Sequence, residues 1–246
     1  MLRYQLTATY HLSLTAFSPL IPYLARMKAT TVIFDMDGLL IDSEPLWEEA
    51  GAELLQSYGV ELTSEQYQSS TGLRTREWIT HWFNHFHIDN KYVEHATAQI
   101  INTAIEKIRS HGAGMPGVPQ IFSFLQDEGF TMAIATSSPL RLVDIVVEKL
   151  NISQYLTCTV SAEDLPYGKP HPAVYLDCAA RLGADPSRCI CFEDSFNGMI
   201  AVKAARMKCV VIPAPHVHHQ NRWDAADLKL RSLLDFGPKE LELCEQ

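Results

Sequence analysis

The stretch TTVIFDMDGLLIDSEPLW, residues 30–47, decides the fold of this chain. It opens with a short apolar run, residues 32–34, that ends directly at two aspartates separated by one residue, Asp35 and Asp37. Gly38 follows at once. A carboxylate at the end of a buried strand is costly unless it is paired or holds a cation. The stretch therefore predicts a buried strand whose carboxyl end carries two acidic side chains with a chemical role.

Length and composition indicate a folded, acidic protein of moderate size. The chain has 246 residues, of which 47 % are hydrophobic, and this suits one core domain with a smaller insert. The formal net charge of −9 argues against a broad nucleic-acid surface. Because this charge repels anions, a phosphorylated substrate would need local groups or a metal ion to hold it. We expect a small-molecule substrate and no nucleic-acid partner.

The cysteines and the first 26 residues give information about the cellular compartment of the protein. Six cysteines are scattered and none forms a C-x-x-C pair, which favours reduced thiols, mostly buried, in a cytoplasmic protein. In residues 1–26 polar residues and two prolines interrupt the apolar run, which therefore fits neither a membrane span nor a signal peptide. We expect residues 1–26 to be a poorly ordered extension or to lie upstream of the native start at Met27, with a targeting segment as the alternative. We also expect no membrane contact and a monomer.

From residue 116 onward, helical and strand patterns alternate. This rhythm predicts an α/β fold: a Rossmann-like parallel sheet with helices on both faces, in which ligands bind beyond the carboxyl ends of the strands. The predicted helices are VPQIFSFLQDEG (118–129), PLRLVDIVVEKL (139–150), HPAVYLDCAARLG (171–183) and SFNGMIAVKAARM (195–207). The predicted strands are TMAIA (131–135), TCTV (157–160), CICF (189–192) and CVVI (209–212).

Residues 43–115 break the alternation. They read as several helices without a convincing strand: EPLWEEAGAELLQSYG (44–59), TREWITHWFNHF (75–86) and ATAQIINTAIEKI (96–108). An insert placed just after the first strand would lie over the strand ends and act as a lid. We therefore expect a core of residues 27–42 and 116–246 and a helical cap of residues 43–115.

Polar residues stand at the end of each predicted strand. In a parallel sheet these groups meet at one edge, where crowded carboxylates repel unless a cation joins them. Hard oxygen ligands in a compact group suit Mg²⁺. Glu193 could instead form an ion pair with Lys169, and the residues after the second of these strands could cap a helix. The strand-end groups are Asp35 and Asp37, Thr136 to Ser138, Lys169, and Glu193 with Asp194.

Four motifs in this order, FDMDGLLIDSE, ATSS, KPHP and EDSFNG, resemble those of the haloacid dehalogenase superfamily of phosphatases. The resemblance covers about residues 28–215, and the helical insert is similar to that family's small α-helical cap. DMDGLLIDSEPLW, LPYGKPHPAVYLDCAARLG and EDSFNGMIAVKAARM are closer still to bacterial sugar-phosphate phosphatases. That group acts on 2-deoxyglucose 6-phosphate and hexitol phosphates.

The resemblance implies a mechanism for these residues. Asp35 would be the nucleophile that forms an aspartyl-phosphate, and Asp37 would protonate the leaving oxygen and later deprotonate water. Mg²⁺ would be bound by Asp35, the backbone carbonyl of Asp37, Asp194, and Glu193 either directly or through water. The residues implied to bind the substrate are Gly38, Glu44, Thr136, Ser137 and Lys169, with Arg74 added if its segment faces the site.

Single residues distinguish the predicted phosphatase from several alternative functions. A haloacid dehalogenase would need neither Asp37 nor a metal, and a phosphonatase would need a cap lysine that the segment 39–55 lacks. A β-phosphoglucomutase is similar in sequence, but that group carries a histidine where Trp47 stands, so plain hydrolysis is favoured. A non-catalytic binding module would be expected to lack Asp35 or Asp194. His81 and His85 have the i, i+4 spacing of a zinc helix without its acidic partner, and we expect them to pack on the surface or in the cap.

Overall fold

A computed structural model describes residues 28–245, and our expectation for residues 1–26 lies outside that range. Six parallel strands form one sheet in the order β3-β2-β1-β4-β5-β6. The strands are β1 Thr31–Phe34, β2 Thr131–Thr136, β3 Leu156–Ser161, β4 Cys189–Glu193, β5 Lys208–Val211 and β6 Leu228–Lys229.

The described chain contains nine α-helices. All predicted strands and helices are present, whereas α2, β6 and α9 were not predicted. These three are short, at six, two and seven residues, and so carry little periodic signal. The helices are α1 Glu44–Ser57, α2 Ser64–Ser69, α3 Thr75–His85, α4 Val93–His111, α5 Val118–Asp127, α6 Leu140–Leu150, α7 Ala173–Arg181, α8 Phe196–Ala204 and α9 Pro238–Cys244.

The sheet is buried on both faces, which confirms the predicted α/β class. Side chains alternate along β1, so that Val32 and Phe34 enter one apolar cluster and Ile33 enters the other. Phe34 stacks on Phe192 of β4 with ring centroids 5.1 Å apart. Helices α5 and α6 contribute to the first cluster, and α7 and α8 contribute to the second.

The strand order places the end of β1 at the point where the sheet changes direction. β1 pairs with β2 on one side and with β4 on the other, and the chain extends outward from this pair in both directions. The backbone N–H of Asp35 donates to the carbonyl of Phe192 at 2.9 Å. A crevice opens at such a switch point, so Asp35 stands where doubly wound sheets bind ligands.

Helices α1 to α4 lie between β1 and α5 and form the cap. They pack on one another through buried apolar residues such as Trp78, Ile79, Ile100 and Ala104. The exact boundaries given above for cap and core stay a prediction. Within residues 28–245, no helix combines the length and the apolar character needed to cross a membrane.

Candidate active site

Asp35 lies at the end of β1 as a buried carboxylate with a cationic partner. Its side chain is 8 % exposed, and its Oδ1 accepts a hydrogen bond from Lys169 Nζ at 2.6 Å. Burial raises the pKa of Asp35 to about 7; Lys169 opposes this rise, while Glu193 and Asp37 add to it. The strand end therefore presents an acidic group that is desolvated and held in one orientation.

Lys169 is buried between two carboxylates. Its ammonium donates to Asp35 and also to Glu193 Oε1, again at 2.6 Å. Burial lowers the pKa of Lys169, but the charges of Asp35 and Glu193 outweigh it and hold the pKa above its usual value. The lysine is thus a fixed positive charge beside Asp35. It is not a solvated surface residue.

Glu193 is enclosed by donors. Its Oε1 accepts from Lys169 and from Tyr175 Oη at 2.5 Å, and its Oε2 accepts from the backbone N–H groups of Asp194 and Ser195 and from Ser195 Oγ. Tyr175 was not identified from the sequence. Burial holds the pKa of its phenol well above the usual value, so it stays a donor. The ion pair between Glu193 and Lys169 that the sequence left open is present.

Asp37 is held by three donors. Its Oδ1 accepts from Ser43 Oγ at 2.7 Å and from Trp47 Nε1 at 2.9 Å, and its Oδ2 accepts from Ser138 Oγ at 2.7 Å. Ser43 and Trp47 belong to the start of the cap, and Ser138 follows β2. The second aspartate is therefore fixed by groups from both parts of the molecule. Sequence reasoning missed the role of Trp47 as a donor.

The acidic group fits a divalent cation. Ligand oxygens of Asp35, Glu193 and Asp194 lie within 4.8 Å of one another, and this is the one such group in residues 28–245. Asp194 Oδ1 is buried without a hydrogen-bond partner. Burial and the charges of neighbouring carboxylates hold the pKa of Asp194 well above its usual value. A hard cation would relieve this repulsion and satisfy the orphaned oxygen.

Of the three predicted acidic ligands in this group, Glu193 is the least available, because both of its oxygens already accept hydrogen bonds. The backbone carbonyl of Asp37 accepts no backbone hydrogen bond within the described chain. Gly38 has φ +73°, and a Cβ at this position would collide with Asp194 Oδ2. Glycine is therefore required here both by conformation and by the close approach of Asp194.

The loop after β2 forms another wall of the cavity. Thr136, Ser137 and Ser138 all line it, and Thr136 Oγ1 accepts from the Ser138 backbone N–H at 3.0 Å. Ser137 Oγ donates to the carbonyl of Gly72 in the cap at 2.9 Å. The predicted phosphate-binding residues are thus close to Asp35, and one of them also touches the cap.

The cap side of the cavity is aromatic and acidic. Glu44, Trp47, Tyr67 and Trp78 line it. Burial raises the pKa of Glu44 to about 8, and Asp37 and Asp35 add to the rise. Glu44 is only half buried by surface exposure, so part of its carboxylate remains open to a ligand. Glu44 therefore lies in the same cavity as Asp35, and its contact with a substrate stays a prediction.

Arg74 is the predicted substrate-binding residue that the structure does not bring to the cavity. Its guanidinium donates to the backbone carbonyls of Ala162 and Leu165 in the core, and its Nη2 pairs with Glu77 Oε1 at 2.5 Å. Glu77 in turn accepts from the Gly168 backbone N–H at 3.3 Å. Arg74 thus joins the cap to the loop that carries Lys169, and its expected contact with a sugar phosphate is absent from this arrangement.

The histidines of α3 do not form a metal group within the described residues. His81 and His85 are exposed and contact Trp82 edge-on, with ring centroids 4.6 and 5.4 Å from its own. This is the surface packing that the sequence predicted.

Comparisons with known proteins agree with this architecture. The family model described as haloacid dehalogenase-like hydrolase matches residues 32–212. Hexitol phosphatase B of Escherichia coli (strain K12) is 40 % identical over 210 residues, covering 85 % of this chain and 95 % of the relative. A Drosophila melanogaster protein named "Probable pseudouridine-5'-phosphatase" is 32 % identical over 222 residues, covering 88 % and 95 %.

Among solved structures, β-phosphoglucomutase from Clostridium difficile superposes with a TM-score of 0.78 at 19 % identity, covering 88 % of this chain and 97 % of that one. At this identity the match shows the fold alone. The chain belongs to the haloacid dehalogenase-like hydrolase family, as its four strand-end motifs predicted.

Proposed function

We propose that this chain is a Mg²⁺-dependent phosphatase that hydrolyses monophosphate esters of small sugars or hexitols through an aspartyl-phosphate on Asp35. The observation that carries the proposal is the buried contact of Asp35 with Lys169, beside the unpartnered oxygen of Asp194. The 40 % sequence identity with a hexitol phosphatase supports sugar or hexitol phosphates as the substrate class. We keep the expectation of a cytoplasmic monomer as part of this proposal.

In the first step, a carboxylate oxygen of Asp35 attacks the phosphorus of the ester. The bond between phosphorus and the sugar oxygen breaks, and Asp37 gives a proton to that leaving oxygen. Lys169 would offset the negative charge of both Asp35 and the phosphoryl group, and its ammonium, 2.6 Å from Asp35 Oδ1, supports this role. The result is an aspartyl-phosphate and a free sugar.

In the second step, water attacks the phosphorus of the aspartyl-phosphate. Asp37 takes a proton from this water, the bond between phosphorus and Asp35 breaks, and inorganic phosphate leaves. The three donors on Asp37 keep it in one place for both proton transfers. The cap residues that line the cavity would limit the entry of bulk water.

Asp35, Asp194 and the Asp37 carbonyl would hold Mg²⁺, with Glu193 contributing through water. When bound, the ion supplies charge neutralisation between the anionic nucleophile and the anionic phosphoryl group. The positions of these residues around the orphaned Asp194 oxygen support this assignment.

A phosphosugar mutase on the same fold is the alternative, and the cavity gives it little support. A mutase that moves a phosphoryl group through Asp35 passes through a sugar bisphosphate, whose second phosphate needs a cationic partner. Lys169 is the one lysine or arginine of the described chain that lines the cavity, and it is already paired with Asp35 and Glu193.

The test is phosphate release from a panel of esters, with Mg²⁺ and with EDTA. The panel holds 2-deoxyglucose 6-phosphate, mannitol 1-phosphate, sorbitol 6-phosphate, fructose 1-phosphate, β-glucose 1-phosphate and pseudouridine 5'-phosphate. We expect metal-dependent release that is strongest with a few hexose or hexitol phosphates. Conversion of β-glucose 1-phosphate to glucose 6-phosphate without phosphate release would identify a mutase instead.

Asp35→Asn tests the nucleophile in the same assay. We expect a loss of about 10⁴-fold or more in kcat, because an amide cannot form the acyl phosphate. Asp144→Asn is the matched control, because Asp144 is exposed on α6 away from the cavity. The kcat of this variant should equal that of the native protein. Full activity of Asp35→Asn would refute the mechanism.

A further inference from the structure

The cavity offers no free positive charge on the side that faces the leaving group. Its described lining contains a single lysine or arginine, Lys169, whose ammonium is bound between Asp35 and Glu193. Arg76 points away and pairs with Glu94 at 2.7 Å on the surface. Arg74 is engaged by core carbonyls and Glu77. An anion entering the cap side would therefore meet no cationic partner.

Glu44 is an unpartnered acceptor in this wall. It lines the cavity, and within residues 28–245 its carboxylate takes part in no hydrogen bond or ion pair. A Cβ on Gly38 would stand 3.1 Å from Glu44 Cγ, so the side chain lies beside the reacting edge. Its side chain thus lies in the same cavity as Asp35. A half-buried acceptor without a protein partner favours a ligand that brings hydroxyl donors.

The aromatic neighbours of Glu44 do not offset its charge. Trp47, Tyr67 and Trp78 provide flat apolar surfaces that suit the carbon skeleton of a sugar or hexitol. The indole N–H of Trp47 is already used by Asp37. The cap-side wall therefore combines these aromatic surfaces and the hydroxyl-bearing residues Ser70, Thr71 and Thr75 with an unpaired acceptor, and among the described residues it contains no lysine or arginine.

We propose that Glu44, in a cavity without a free cation, makes the enzyme select monophosphates with an uncharged, hydroxyl-bearing leaving group and reject those with a second anionic group. A second carboxylate or phosphate would lose its hydration in a partly buried site that offers no counter-ion, and above the raised pKa of Glu44, about 8, it would also face a like charge. Hydroxyl groups, by contrast, can donate to Glu44. This inference rests on the proposed function, since it assumes that the phosphate of the substrate is bound at Asp35.

A matched substrate pair tests the selection without any mutation. Sorbitol 6-phosphate and 6-phosphogluconate have the same six-carbon chain and differ at C1, which is a hydroxymethyl group in one and a carboxylate in the other. At about pH 9, where Glu44 is ionised because its pKa is about 8, we expect kcat/KM for 6-phosphogluconate to be lower by about 100-fold, since its carboxylate faces a like charge without a counter-ion. Glycerol 3-phosphate and 3-phosphoglycerate form a second pair, in which the carboxylate is closer to the phosphate than in 6-phosphogluconate.

The outcomes of the substrate comparison are distinct. Equal kcat/KM values within both pairs would overturn the inference while leaving the proposed function intact; a protonated Glu44 that donates to a carboxylate would give this result. Absence of phosphate release from every ester of the panel with Mg²⁺ would refute the proposed function, and the selectivity with it. Preference for the uncharged member of each pair supports both.

Glu44→Gln assigns the selectivity to this residue. We expect the discrimination within the three-carbon pair to shrink about tenfold, mainly because kcat/KM for the anionic member rises. Glu44→Asp keeps the charge and should keep the discrimination, which covers the case that the glutamine variant folds poorly. Glu48→Gln is the control: Glu48 lies one turn along α1, is exposed and faces a neighbouring groove. Unchanged discrimination in Glu44→Gln would overturn the assignment.

Discussion

The indole Nε1 of Trp47 lies 2.9 Å from Asp37 Oδ1 and donates a hydrogen bond to it. Trp47 stands on the first helix of the cap, and Asp37 follows the central strand of the core. An indole N–H is a donor only and exchanges no proton at neutral pH. The contact can therefore orient Asp37 without competing with it as an acid or a base. A histidine at this position could do both, and this difference agrees with a hydrolase in place of a mutase.

Replacement of Trp47 by phenylalanine tests this orienting role. We expect kcat to fall about tenfold with little change in KM, because one of three hydrogen bonds that place the proton-transfer group is lost. Trp223→Phe is the matched control, since Trp223 Nε1 donates to the carbonyl of Val217, away from the cavity. Its kcat should stay close to the native value. A rise in KM alone in Trp47→Phe would mean that the indole contacts the sugar and does not position Asp37.

Tyr175→Phe tests the support of Lys169. The phenol donates to Glu193 Oε1, and Lys169 Nζ lies 5.1 Å from the centroid of the same ring. Without the hydroxyl, Glu193 Oε1 keeps only Lys169 as a partner and draws it away from Asp35. We therefore expect kcat to fall about tenfold at unchanged KM.

Tyr155→Phe is the control for this loss, because no hydrogen bond of the Tyr155 hydroxyl is present among the described residues. Both variants should unfold cooperatively in a thermal melt. If Tyr175→Phe loses thermal stability but keeps the native kcat, the hydroxyl supports the fold and not the position of Lys169.

Regular elements and strand-end groups could be predicted because both depend on local sequence. The apolar run before Asp35 and the residues before Glu193 read as strands, and parallel strands bring their ends to one edge. Tyr175 could not be recognised in this way. Its hydroxyl meets Glu193 across 18 positions of sequence, and only the packing of α7 on the sheet determines which of the helix residues reaches that carboxylate.

The sequence also could not predict the partners of Arg74. Its position in the cap sequence suggested a contact with the substrate, yet the direction of its side chain depends on how the cap is seated on the core. The loop at residues 162–168 offers it several carbonyl acceptors, and these bind the guanidinium. Such a choice between partners is made by tertiary structure and leaves no periodic signal in the sequence.

Gly168→Ala tests the junction that Arg74 and Glu77 form with the core. A Cβ at this position would stand 2.8 Å from Arg74 Nε and would collide with Glu77 Oε2, so both cap side chains would have to move. We expect kcat/KM to fall about tenfold, because the cap would no longer seat fully over the site. Gly237→Ala is the control, since a Cβ at that position would meet its nearest neighbour, Glu240 Oε2, only at 3.7 Å. Native kcat/KM in Gly168→Ala would show that the junction has no part in closure.

The charge of Asp227, which lies far from the reacting atoms, should stabilise the folded protein to an extent that depends on pH. Its carboxylate accepts from Lys203 Nζ at 2.5 Å and from the Cys209 backbone N–H at 2.8 Å, and Lys208 Nζ lies 3.3 Å away. Burial raises the pKa of Asp227, but these donors outweigh it and hold the pKa below its usual value. A depressed folded-state pKa stabilises the folded protein above the unfolded-state value of about 4, and this contribution is lost as the pH falls through the folded-state pKa.

Asp227→Asn should therefore lower the Tm at pH 7 and have a smaller effect in acid. Hydrogen bonds to charged groups contribute about 1.5 to 3 kcal/mol, which corresponds to a drop of roughly 3 to 12 °C for a chain of this size. Thermal unfolding of the native protein and the variant at pH 7, 5 and 3 measures the difference, and Asp144→Asn, an exposed carboxylate on α6, should show none. Because the native Asp227 gains its proton as the pH falls through its folded-state pKa, the difference in Tm should become smaller from pH 7 to pH 3. An equal difference at pH 3 and pH 7 would mean that the asparagine disturbs packing and that the charge of Asp227 contributes nothing.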